Sequence, residues 1–131
     1  MRQLEERKKL AQGVWSDSYL FYMRHRDADT AGWPDIHEDF RNILLKYDDA
    51  GPCGKVMTAV LSLLEDDRKA DNTDWKDSWQ FYLKYHGRPA EPGMWLEATR
   101  DFSETIKKHG GETFCTRMML AAFLMLDEET R

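Results

Sequence analysis

The chain has 131 residues, 41% of them hydrophobic and 12% aromatic, with 19 Lys and Arg against 24 Asp and Glu and a net charge of −5. That is one domain's worth of core-forming sequence, able to bury about two thirds of its unfolded surface, and the composition excludes disorder as the default state. The charge divides as −2 over residues 1–70 and −3 over residues 71–131, and the only basic cluster, Arg7, Lys8 and Lys9, directly follows Glu5 and Glu6; without a concentrated basic face, nucleic acid is disfavoured as a partner.

The opening segment, MRQLEERKKL, carries no apolar stretch. No part of the chain approaches the roughly 18 apolar residues that span a bilayer. A cytoplasmic protein without a membrane segment is expected.

The first helix is expected over residues 2–26, a polar lead-in over 1–13 followed by Trp15, Ser18, Tyr19 and Tyr22 on one face at i, i+3, i+4, i+7. Gly13 weakens this helix without forcing a break. Residues 27–32 read as a loop, and Pro34 suits the first turn of a second helix. Ile36, Phe40, Ile43, Leu44 and Tyr47 form a single stripe along that helix. DDAGP at 48–52 ends it. The third helix, with Val56, Met57, Val60, Leu61, Leu63 and Leu64, is the most apolar and is expected at the centre.

The remaining chain repeats the pattern. Residues 14–26 align with 74–86 at an offset of 60, and 33–67 with 95–129 at an offset of 62; the longer loop 87–94 accounts for the change. Matched identities include Trp15/Trp75, Asp17/Asp77, Ser18/Ser78, Phe21/Phe81, Trp33/Trp95, Asp39/Asp101, Phe40/Phe102 and Cys53/Cys115. Self-similarity of this kind decides how a chain is parsed. Asn72, Thr73 or Asp74 can cap the fourth helix. The fifth helix carries Trp95, Ala98, Phe102, Ile106 and His109, stops at HGGET, and gives way to a sixth containing Met118, Met119, Ala122 and Leu126.

The expected fold is therefore all-α: six main helices as two homologous three-helix units, 14–69 and 74–131, packed with pseudo-twofold symmetry into a single domain. An open solenoid is the alternative, though two copies are few for one.

Candidate sites are weighed against structural roles. Cys53 and Cys115 stand at equivalent helix starts, where a small buried hydrophobe explains them better than a disulfide or half a metal site, because neither copy has CxxC or a histidine at ligand spacing. His37-Glu38-Asp39-Phe40-Arg41 has Arg where a zinc-protease helix needs its second His. Asp17, Asp39, Asp77 and Asp101 suggest a carboxylate-based metal or enzyme centre if they converge. Pairing of Asp39 with Arg24 and of Asp101 with Lys84 is the preferred reading. Glu65-Asp66-Asp67 and Asp127-Glu128-Glu129 read as solvated helix ends with i, i+4 pairs to Lys69 and Arg131, or as acidic binding patches.

No phosphate-binding, dinucleotide-binding or nucleophile motif occurs. The functional expectation is a non-enzymatic helical protein-interaction module, an adaptor, regulator or inhibitor. No catalytic residue, cofactor or metal ligand is assigned, and the protein is expected to be a monomer or homodimer. Its partner-binding candidates are Trp33, Trp95, Asp66, Asp67, Glu128 and Glu129, aromatic anchors and acidic ends that a partner can reach. A phage or mobile-element protein inhibiting a host defence complex is a special case of that expectation, and the carboxylate-based metal-binding or enzymatic bundle is the other alternative.

Overall fold

The computed structural model describes residues 2–27, 32–47, 51–65, 72–89 and 91–129. Among them are six helices and no strand: α1 (Arg2–His25), α2 (Trp33–Lys46), α3 (Gly51–Glu65), α4 (Thr73–Tyr85), α5 (Pro92–Lys108) and α6 (Thr113–Glu129). The all-α expectation stands. No helix of the described residues is long and apolar enough to cross a membrane.

Several boundaries follow from single residues. α1 passes straight through Gly13, where a Cβ would lie 2.5 Å from the Tyr47 hydroxyl and 3.2 Å from its ring. Glycine lets the tyrosine that follows α2 lie against the α1 backbone. α5 starts at Pro92, earlier than the loop assigned to 87–94, because proline already fits a first helical turn. α3 likewise begins at Gly51, inside the 48–52 turn. At the end of α5, Gly110 and Gly111 both adopt φ 71°. Their N–H groups donate to Lys107 O at 3.0 Å and Ile106 O at 2.9 Å, closing the helix and leaving His109 as its last cap.

Asn72 occupies the N-cap position of α4 but makes no side-chain capping bond. Asp74 is buried and turned toward His109 instead.

α1 packs on α3, α4 on α6, and α3 on α6, while α2 and α5 lean on the outer sides of these pairs and α1 meets α4. One continuous core results. The α3 residues Val56, Met57, Val60 and Leu63 and the α6 residues Met118, Met119, Ala122 and Leu126 are all buried in it.

Where α1 meets α4, two indoles and two serines exchange hydrogen bonds. Trp15 Nε1 donates to Ser78 Oγ at 2.9 Å, and Trp75 Nε1 donates to Ser18 Oγ at 3.0 Å. Each serine hydroxyl in turn donates to a carbonyl of its own helix, Ser18 to Trp15 O at 2.9 Å and Ser78 to Asp74 O at 2.7 Å. Both serines are buried, so every polar atom of the crossing needs its partner. Around them the Trp75 ring meets Tyr19, Tyr22 and Phe114 with centroids 4.9–5.3 Å apart, and Trp15 meets Trp79 at 6.0 Å.

Candidate functional site

The four repeat-matched aspartates are engaged with different partners. Asp17 on α1 accepts from Lys46 Nζ at 2.8 Å and from the Tyr47 hydroxyl. Asp77 on α4 accepts from Lys108 Nζ at 3.2 Å and faces His109 Nε2 at 2.7 Å. Asp39 on α2 is held by Arg24 at 2.5 Å and faces His25 Nε2 at 2.9 Å. Asp101 on α5 accepts from Lys84 Nζ at 2.6 Å and from the Tyr85 hydroxyl. The two pairings read from the sequence, Arg24 with Asp39 and Lys84 with Asp101, both form.

These bonds tie the second helix of each set to the first at both ends, and they shift the titrating groups. Burial would raise Asp17 and Asp77, but bonds from Lys46 and Tyr47, and from His109 and Lys108, outweigh it and hold both carboxyls below their ordinary value of 3.8. Asp101 is lowered first by Lys84 and then by Tyr85. A carboxyl with a depressed folded-state value stabilises the fold in full above its unfolded value, and that contribution disappears as pH falls through the folded value. The contribution of these three carboxyls to the free energy of unfolding should therefore be lost as pH falls below about 4. Urea titrations on either side of that pH check this, and Asp17→Asn should flatten the acid limb, with a loss at pH 7 of about 0.2–1 kcal/mol for a partly exposed pair.

The partner-binding candidates fare differently from one another. Trp33 and Trp95 are half-buried and rest on the core, Trp95 with its ring 5.4 Å from that of Phe123 and Trp33 5.6 Å from His37. Glu128 is exposed. Glu129 is not a solvated helix end: its side chain is only 4% exposed, accepts from the Tyr82 hydroxyl and lies 2.9 Å from His86 Nδ1. Burial and this carboxylate together push the Tyr82 phenol far above its ordinary range. Helix α6 thus uses its last glutamate to grip the end of α4. Asp66, Asp67, Lys69 and Arg131 lie outside the described residues.

A second polar constellation joins three elements. Asp74 from the first turn of α4, His109 at the cap of α5 and Cys115 from the first turn of α6 bring one potential ligand atom each within 4.8 Å of the others. It is the only such cluster of three or more among the described residues. His109 Nδ1 lies 3.1 Å from Asp74 Oδ1, while Nε2 faces Asp77. Cys53 and Cys115 are both buried and not disulfide-bonded. Burial, with Asp74, Asp77 and Glu112 nearby, pushes the Cys115 thiol up to about 12. Sequence spacing offers no histidine at ligand distance from either cysteine, whereas the structure brings His109 to Cys115. Asp74 comes from another helix, 35 residues before His109, and the tight Gly110-Gly111 turn folds His109 back beside Cys115.

The third feature is apolar. Between α3 and α6 runs a groove of about 680 Å³ whose floor includes Gly54, Ala59 and Ala121, with Leu120 and Leu124 along one wall. Leu120 is 47% exposed and Leu124 37%. Lys55 and Arg117 stand at its rim, with Arg117 Nη1 donating to Ser62 Oγ at 3.0 Å. Small residues on the floor lower the surface and large ones on the wall raise it, which produces a concave strip along two packed helices. Sequence periodicity missed it because it does not tell which apolar residues of the sixth helix stay exposed.

The chain matches no protein-family model, no curated protein and no solved structure.

Proposed function

We propose that the protein is a non-enzymatic interaction module that receives an amphipathic helix of a partner protein in the groove between α3 and α6. The observation that carries this reading is the pairing of exposed Leu120 and Leu124 with a floor of glycine and alanine. Helix-in-groove recognition uses apolar anchors spaced i, i+3 or i+4, and a lining that combines Gly54, Ala59 and Ala121 with Leu120, Phe123 and Leu124 offers such anchors apolar contact. Lys55 and Arg117 at the rim favour a partner helix with acidic flanks. Singly exposed leucines elsewhere, such as Leu45 and Leu96, are ordinary on a protein surface and need no partner.

The same reading includes an internal duplication, with two related three-helix units meeting about a pseudo-twofold. It is supported by the crossed Trp15–Ser78 and Trp75–Ser18 bonds and by the matched pairs Asp17–Lys46 with Asp77–Lys108 and Arg24–Asp39 with Lys84–Asp101. In such an arrangement α3 and α6 are equivalent helices, and the groove lies on the seam between units.

The test is comparative capture from the native host with the wild type and with Leu120→Glu/Leu124→Glu, both changes being at exposed positions and within about 0.5 kcal/mol of neutral for stability. A defined set of proteins should be retained by the wild type and lost by the variant, with no change in the far-ultraviolet spectrum. An identical retained set for both proteins overturns the groove as the binding face.

A further inference from the structure

We propose that Asp74, His109 and Cys115 form a binding site for a thiophilic divalent cation of the zinc class, with Asp77 orienting the histidine. The three ligand types are those that zinc accepts, and a soft thiolate beside an imidazole and one carboxylate selects zinc over magnesium or calcium. Tetrahedral bonds of about 2.0–2.3 Å place ligand atoms roughly 3.3–3.8 Å from one another. His109 Nδ1 and Asp74 Oδ1 are already 3.1 Å apart, and all three ligand atoms lie within 4.8 Å, so small side-chain rotations complete the triad.

The surroundings fit as well as the ligands. A metal-bound histidine characteristically gives its second ring N–H to a carboxylate, which fixes the tautomer and the ring plane. Here His109 Nε2 lies 2.7 Å from Asp77 Oδ2, and Lys108 holds the same carboxylate at 3.2 Å. Charge balances when the cation arrives: the Cys115 thiol releases its proton to solvent, and thiolate plus the Asp74 carboxylate neutralise the two positive charges. The fourth position is left to a water molecule.

The other half of the chain supplies an internal control. The positions aligned with Asp74, His109 and Cys115 are Val14, Tyr47 and Cys53. Val14 is buried in the core, and Tyr47 gives its hydroxyl to Asp17, so of the three aligned positions the cysteine alone is shared, and among the described residues only the Asp74, His109 and Cys115 set is formed. A purely structural role for the cysteine predicts equivalent surroundings in both halves. Among the described residues, an oxygen and a nitrogen ligand are gathered with a cysteine at Cys115.

Cobalt(II) is the probe, because its thiolate complexes have an intense charge-transfer band and its tetrahedral sites strong visible absorption. Protein stripped with a chelator and reduced should take up one equivalent of Co²⁺ with both features, and Zn²⁺ should displace it. Cys115→Ser should abolish the thiolate band, and His109→Tyr, which installs the residue of the other half, should abolish binding. Asp77→Asn should weaken affinity about 10- to 100-fold without changing stoichiometry. Cys53→Ser should change nothing. Because Cys115→Ser could also disturb the core, thiol alkylation of the wild type is read separately, with Zn²⁺ expected to protect Cys115 and leave the rate at Cys53 unaltered. Absence of a one-equivalent site in the wild type, a band that survives Cys115→Ser, or protection mapped to Cys53 each overturns the proposal.

Discussion

Truncating Trp75 to alanine should lower the free energy of unfolding by about 3–5 kcal/mol. Small domains hold only about 5–15 kcal/mol in all, so this is the most damaging single change considered. The ring is 5% exposed and contacts Tyr19, Tyr22 and Phe114, aromatic neighbours drawn from α1 and α6, so the cavity has rigid walls from two directions and cannot collapse. Trp75→Phe separates the contributions. It keeps most of the apolar volume and removes the indole N–H, while Ser18 still donates to Trp15 O, so a loss of about 0.5–1.5 kcal/mol for the hydrogen bond is expected, together with a smaller packing loss. Urea unfolding followed by circular dichroism should show the midpoint falling in both variants with an unchanged slope. A loss below about 1 kcal/mol for Trp75→Ala would mean that the aromatic cluster does not hold the two helix pairs together.

Replacing either buried serine by alanine should cost about 1–3 kcal/mol, far more than the loss of one small hydroxyl suggests. In Ser78→Ala the Trp15 N–H keeps its buried position and loses its acceptor; in Ser18→Ala the Trp75 N–H does the same. The penalty comes from the stranded donor, so removing the donor should relieve it. Trp15→Phe is accordingly expected to cost less in the Ser78→Ala background than in the wild type, a coupling of about 0.5–3 kcal/mol in a double-mutant cycle. Equal costs in the two backgrounds would show that the indole finds another acceptor.

The helices themselves were legible because each carries a 3.6-residue stripe and an identifiable stop, as in Ile36, Phe40, Ile43 and Leu44 followed by a turn. Two ion pairs were legible too, since Arg24–Asp39 and Lys84–Asp101 join charges on adjacent helices at the same place in the alignment. Starts were misjudged where proline or glycine favoured an earlier first turn, at Pro92 and Gly51. The site features failed for a different reason. Glu129 looked like a solvated helix end because nothing local to 127–129 reveals Tyr82 and His86, more than 40 residues earlier in the chain. Asp74 looked like a cap, His109 like one more stripe position and Cys115 like a small hydrophobe, and each interpretation is reasonable within its own helix. Only their convergence across three elements gives them a chemistry. The available signal was the departure from the repeat, Asp74 against Val14 and His109 against Tyr47, rather than the residues held in common.

The crossed tryptophan–serine bonds also bear on how the chain reaches its fold. They join residues 63 and 57 positions apart, so closing them demands that long intervening segments already be ordered, at an entropic cost that nearby contacts do not carry. Packing of α1 with α3 and of α4 with α6 can gather locally first, but neither group then satisfies its own indole or covers its own serine. Each half presents to the other a donor and an acceptor that water must leave together. Docking is therefore the committing step, and partial opening of one half exposes polar atoms in both. The reciprocal bonds thus couple α1 to α4, and loss of either helix strands polar atoms on the other.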